Sequence, residues 1–344
     1  MFVVLMTLML IGVINPVFAE STNTSLQSTA VSIPDGRGGI HFDDINYSAS
    51  LHKLLVPAGR TGKLYLIDPV SYSMTAITGF SSSIKEVKGV DTGISSADEG
   101  EGFIFVPDHG TQKLNVVDPK TGSIVTSAPL ASDVDFVRYV GVNHEVWVTE
   151  PDSKEKKIIE VFKFTTEGKP AIYHSLDITF TKGPESLTID PVHQKAYTNL
   201  GKNAAVIDLK SHTVIANWPN SCEKSRGTAV DGQKGFLFVG CGEGKAVVLD
   251  LNQSGKQVGS LTFGAGVDLI DYDSSLSHLY IPNGKSATLS VLGVSPKGEL
   301  SLLGVGQAAN RAHCVAGDDQ NNIWVCDPHQ GQLLRYKDAF AAVK

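Results

Sequence analysis

Several charged residues stand at one fixed distance from a recurring apolar run. Twelve residues before Trp147, Tyr197, Phe238 and Tyr280 lie Asp135, Glu185, Arg226 and Asp268, and twelve before Leu55 lies Asp43. The same step back from Trp324 lands on Ala312, with Arg311 and His313 on either side. Surface charge has no reason to keep a constant distance from a core aromatic. The spacing therefore implies equivalent positions in a repeated unit. Gathered around one axis, Asp43, Asp135, Glu185, Arg226, Asp268, Arg311 and His313 would form one ligand-binding site. Carboxylates crowded together repel unless something neutralises them. A divalent cation, Ca²⁺ or Zn²⁺, would do so, with Asp135, Glu185, Asp268 and His313 as its expected ligands. Arg226 and Arg311 could instead balance the acids as a network of protein charges. A cation beside an arginine suits an anionic or hydroxylated small molecule.

Histidine supplies a second constellation. His41, His109 and His329 fall in the first, second and last repeats, which are neighbours if the repeats close into a ring. Imidazole suits Cu and Zn, so these three are candidates for a second metal site, with scattered surface histidines as the alternative. His144, His193 and His278 fall in turns at the opposite face and are expected to be solvated.

The elements that must position these residues are short strands. "HKLLVPAG", "GFIFVPDHG", "EVWVTEPD", "KAYTNLG", "GFLFVGCG", "HLYIPNG" and "NIWVCDP" share one pattern, an apolar run ending in Pro, Asn or Gly. Most are followed by a second run, such as "KLYLIDP", "KLNVVDP", "AAVIDLK" or "AVVLDLN", and then by a turn. From Asp135 to Ala312 the anchors are 50, 41, 42 and 44 residues apart. Such a period built only from short strands means an all-β propeller of four-stranded antiparallel blades. Seven copies predict seven blades in a single domain over residues 31–344. Even spacing argues against eight blades or a two-domain sandwich. The second copy is irregular: the twelve-residue step from Phe105 reaches Gly93, near Asp91, which suggests an extra residue pair in its first hairpin. The last copy lacks an outer strand, and "TAVSIPDG" is the candidate to supply it, because an unpaired sheet edge invites aggregation.

The repeats resemble those of the YVTN-type β-propellers, and the whole chain is similar to the YncE-like exported bacterial proteins. "KLYLIDPVSYSM", "KLNVVDPKTGSIV" and "AAVIDLKSHTV" carry the strand–Asp–turn–strand pattern. Some YncE-like members are linked to DNA, which the resemblance would extend to this chain. A net charge of -7 and the absence of any long basic run argue against a nucleic-acid partner. "GPESL", which contains Glu185, is also loosely similar to the channel glutamate of metal-dependent lactonase propellers, without their Asn-rich ligand set.

Residues 1–19 read as a cleavable signal peptide: an apolar stretch, a break at Pro16, and Val17-Phe18-Ala19 before the cut. Residues 20–30 are polar and read as a flexible lead-in. No later stretch is long and apolar enough to cross a membrane. Export, to the periplasm or the exterior, makes disulfides the default for the four cysteines. "CVAGDDQNNIWVC" reads as the inner hairpin of the seventh blade, placing Cys314 opposite Cys326 across a turn at Asp319-Gln320-Asn321. The span suits a disulfide if the pair is not a hydrogen-bonded one. Cys241 ends a strand of blade five and Cys222 lies in the loop entering it, so these two would pair and pin that loop. Four free buried thiols are the alternative.

These readings predict a monomeric exported propeller that binds a small ligand or cation at one channel mouth. A metal-dependent hydrolase of the lactonase kind and a protein-interaction platform are the alternatives.

Overall fold

A computed structural model describes residues 24–83, 93–151 and 156–344. Asp91 and the expected signal peptide lie outside these residues. Seven sheets follow one another along the chain, each with four antiparallel strands. Each innermost strand touches the next, and the seventh touches the first. The chain is a seven-bladed β-propeller.

Burial explains the layering. Second strands such as Glu145–Glu150 and Phe236–Cys241 are buried along their whole length. Outer strands such as Ser123–Pro129 and Thr213–Pro219 largely alternate exposed with half-buried residues, the period-two pattern of a strand with one face in water. The recurring aromatics Trp147, Tyr197, Phe238, Tyr280 and Trp324 are buried as expected. Several pass a polar tip to a buried acid: Trp147 Nε1 donates to Glu145 Oε2 at 2.9 Å, Trp324 Nε1 to Asp318 Oδ2 at 2.7 Å, and Tyr280 OH to Asp338 Oδ2 at 2.8 Å. Asp68, Asp118, Asp208 and Asp250 cap the turns after their strands, as read from the sequence.

The ring closes where expected. Ser28–Ser32 pairs antiparallel with Gln332–Lys337, from Ser28 opposite Tyr336 to Ser32 opposite Gln332. Four expectations need correction. First, the polar lead-in is structured from Thr24 onward: Thr24–Leu26 adds a fifth strand, parallel to Leu300–Gln307 of blade six. Leu26 supplies the apolar anchor, 7% exposed, in the seam between blades six and seven. Gly306, opposite Leu26, must be glycine, because a Cβ there would meet the Tyr336 ring at 2.8 Å. Second, the first hairpin of blade two is shorter, not longer: Gly100 pairs with Phe103 around a two-residue turn. Third, His278 is buried, with Nδ1 2.7 Å from Asp338 Oδ2, because residues after the last strand fold back under blade six. Fourth, the pair Cys314–Cys326 is a hydrogen-bonded one. Cys326 N–H donates to Cys314 O at 3.2 Å, and the 5.6 Å Cα separation still suits a disulfide. Both cysteine pairs, 222–241 and 314–326, stand at disulfide distance.

Candidate functional site

The inner strands enter the ring at one mouth, where neighbouring blades are stitched by backbone hydrogen bonds. Asp44 N–H donates to Ser95 O at 2.9 Å, Gly227 N–H to Asp268 O at 2.7 Å, and Leu269 N–H to His313 O at 3.0 Å. Two bulges aim side chains into the opening. In blade four the register slips between Glu185 and Thr188, with Ser186 at φ 63°. In blade five it slips between Ser225 and Thr228, around Arg226. The cysteine pairs brace the same rim. Cys222–Cys241 ties down the loop leading to Arg226, and Cys314–Cys326 begins one residue after His313.

The mouth is a cavity of about 880 Å³. Asp43, Asp135, Glu185, Arg226, Asp268, Arg311 and His313 all line it, so the twelve-residue spacing does gather them. His41 and His109 line it too. His329 does not; it is exposed outside the cavity, so the three-histidine metal site is not assembled. Among the described residues, no three of the acidic and histidine side chains at the mouth bring ligand atoms within 4.8 Å of one another. The reason is visible for the expected metal set. Arg226 stands between two of its members, with Nη1 2.7 Å from Glu185 Oε2 and Nε 3.8 Å from Asp268 Oδ1. Both nitrogens of His313 face carbonyl oxygens, of Arg311 at 2.6 Å and of Phe42, which leaves neither to a metal.

Arg226 does not balance the mouth. Seven acidic residues and four lysines or arginines line the cavity, an excess of three negative charges. Asp135 shows the strain: burial, and then Glu185 and Asp268, hold its carboxyl well above the usual range, while a hydrogen bond shared with Asp43 opposes them.

Below the mouth lies a second chamber of about 330 Å³ that the twelve-residue step misses. Its charged residues are Asp44, Asp98, Asp271 and Arg138. Arg138 holds Asp44 through Nη1 at 2.6 Å and Nη2 at 3.2 Å, and Ser96 Oγ donates to the same carboxylate at 2.6 Å. Register explains the omission. Asn46, Asp98, Arg138, Thr188 and Asp271 pair directly with Leu55, Phe105, Trp147, Tyr197 and Tyr280. A step of nine residues, or seven in the short hairpin of blade two, finds this deeper ring.

The chamber acids carry a pH signature. Burial pushes Asp98 up to about 6, against the opposing pull of Arg138 and the Tyr139 N–H, and burial also raises Asp271. Between about pH 4 and 6 the folded protein keeps a proton on Asp98 that the unfolded chain releases, so stability falls as pH rises through this window. Asp98 alone should remove on the order of 2 kcal/mol by neutral pH. Melting curves from pH 4 to 8, in chelator, should show this decline in the wild type and a flatter profile in Asp98→Asn. A wild-type profile that rises across the window would contradict the placement of these acids.

Comparison with solved structures supports the fold alone. A chain of the mitotic checkpoint complex superposes with a TM-score of 0.72 at 12% identity, over 98% of this chain and 99% of that one. A chain of Kuenenia stuttgartiensis hydrazine synthase superposes at 0.71 and 12% identity, over 94% and 99%. No protein-family model matches the chain, and no curated protein matches it by sequence. Among the described residues, no helix is long and apolar enough to cross a membrane.

Proposed function

We propose that this chain is an exported, YncE-like binding protein whose channel mouth takes a small cationic ligand, either a divalent cation or an organic cation. The acid excess over two connected levels of the channel carries this reading: three negative charges at the mouth and two below. Low-dielectric walls focus such a field, which raises the local concentration of cations and repels nucleic acid. Periplasmic or extracellular placement rests on the signal-like leader and the two cysteine pairs. A hydrolase of the lactonase kind would need metal ligands converging at the mouth, where Arg226 instead spans Glu185 and Asp268.

Asp135 is the residue to test, because burial and the neighbouring Glu185 and Asp268 oppose its charge. Asp135→Asn keeps the volume and lets an amide donate to Asp43. The variant without ligand should melt a few degrees above the wild type, since a like-charge conflict is relieved at roughly 1–2 kcal/mol. It should also lose most of the upward melting shift that Ca²⁺, Zn²⁺ or a diamine gives the wild type. If none of these cations moves wild-type melting, the mouth is a protein-only charge network and the binding reading fails.

A further inference from the structure

Blade three differs from its neighbours far from the channel. Across its third and outer strands Glu160 pairs with Asp177 and Phe162 with His174, with a bulge at the step between Val161 and Phe162. Residues three apart on a regular strand face opposite sides. The bulge puts His174 and Asp177 on one side, with Nε2 2.7 Å from Asp177 Oδ1. Blades two, four, five and six carry the same bulge. Their counterparts of Glu160 are Asn115, Ala205, Val247 and Ser290, and none of their counterparts of His174 or Asp177 is acidic or a histidine. The fold itself therefore does not require these three side chains.

Glu150, at the end of the adjacent strand, adds an independent observation. It is fully buried and Glu160 is 4% exposed. Their carboxyls face each other within hydrogen-bonding reach, yet both are acceptors. Ser132 N–H donates to Glu150 Oε1 at 3.1 Å and Ala131 N–H to Glu160 Oε2 at 3.0 Å, while Glu150 Oε2 has no hydrogen-bond partner. Among the described residues, the only oppositely charged group paired with either glutamate is His174, 3.9 Å from Glu160 Oε1. Lys156 approaches Asp177, at 3.6 Å. Two buried carboxyls turned toward each other need a proton or a cation between them.

One ligand atom each from Glu160, His174 and Asp177 already lies within 4.8 Å of the others. We propose that Glu160, His174 and Asp177, backed by the unpartnered Oε2 of Glu150, form a Zn²⁺ site on the outer half of blade three. An imidazole with carboxylate oxygens is a zinc donor set, whereas Ca²⁺ would leave the imidazole unused. His174 is 43% exposed, so an ion can reach the site from solvent. Binding replaces the His174–Asp177 hydrogen bond and displaces Lys156.

The test uses the exported protein without a histidine tag, stripped by chelator and titrated calorimetrically with Zn²⁺. The wild type should take up zinc, and excess Ca²⁺ should not compete. His174→Ala and Asp177→Asn alter partly exposed side chains and should keep the wild-type melting temperature in chelator, while weakening zinc binding about 10- to 100-fold. Co²⁺ should give visible absorption bands with the wild type that His174→Ala abolishes. The measurements are repeated on Asp135→Asn, which weakens the channel mouth, and the blade-three uptake should persist there. The proposal is overturned if the wild type takes no zinc, or if, with Asp135→Asn in place, His174→Ala leaves zinc uptake intact or Ca²⁺ competes for it. If the wild type takes no zinc, a shared proton joins the two glutamates.

Discussion

A chain beginning at Ile33, without Thr24–Leu26 and Ser28–Ser32, should lose on the order of 5 kcal/mol of stability and tend to self-associate. The truncation removes the strand that covers the outer edge of Gln332–Lys337 and the parallel strand that seals blade six against blade seven. It uncovers side chains that are now fully buried, among them Leu333 and Tyr336. For a ring of this size the loss corresponds to a melting decrease of roughly seven degrees. Thermal melts with light scattering provide the measurement. A truncated chain that is monomeric and melts like the full one would show that the ring holds without its clasp.

Arg138→Met should be the most damaging single change in the channel, costing about 3–5 kcal/mol. The substitution keeps most of the side-chain length but leaves Asp44, whose side chain is 5% exposed, without its bidentate cation. Asp98 also loses the positive charge that offsets its burial. Pairing the change with Asp44→Asn should recover most of the loss, because the stranded charge is then gone. Denaturant titrations of the wild type, both single variants and the double variant give the coupling directly. Additive losses would mean that Arg138 stabilises the ring by packing alone.

The blades were legible because their spacing is imposed by geometry. Four short strands and their turns need 40–50 residues, and the aromatic of the second strand must reach the same inter-blade core each time. That periodicity also carried the mouth residues, since Asp135, Glu185, Arg226 and Asp268 stand at one step from it. The deeper ring follows from the same register at a smaller step, and Arg138, nine residues from Trp147, stands off the twelve-residue spacing. Other features were not readable at all. Whether Arg226 joins Glu185 to Asp268 depends on side-chain direction set by a bulge. Thr24–Leu26 is too short and polar to signal a strand, and its place depends on a groove left open beside Gly306. The blade-three cluster was hidden because Glu150, Glu160 and His174 lie on three strands and follow no shared spacing.

Both ends of the described chain come to rest on blade six. Thr24–Leu26 lies along its outer strand, while Asp338 accepts from Tyr280, and Val343 N–H reaches Leu276 O at 2.9 Å. This arrangement sets an order in time. Each blade is built from neighbours in sequence and can form as its residues are synthesised, with little loop entropy to overcome. Ser28, by contrast, waits for Tyr336, more than three hundred residues later. The clasp is therefore the last part to form and the first to open.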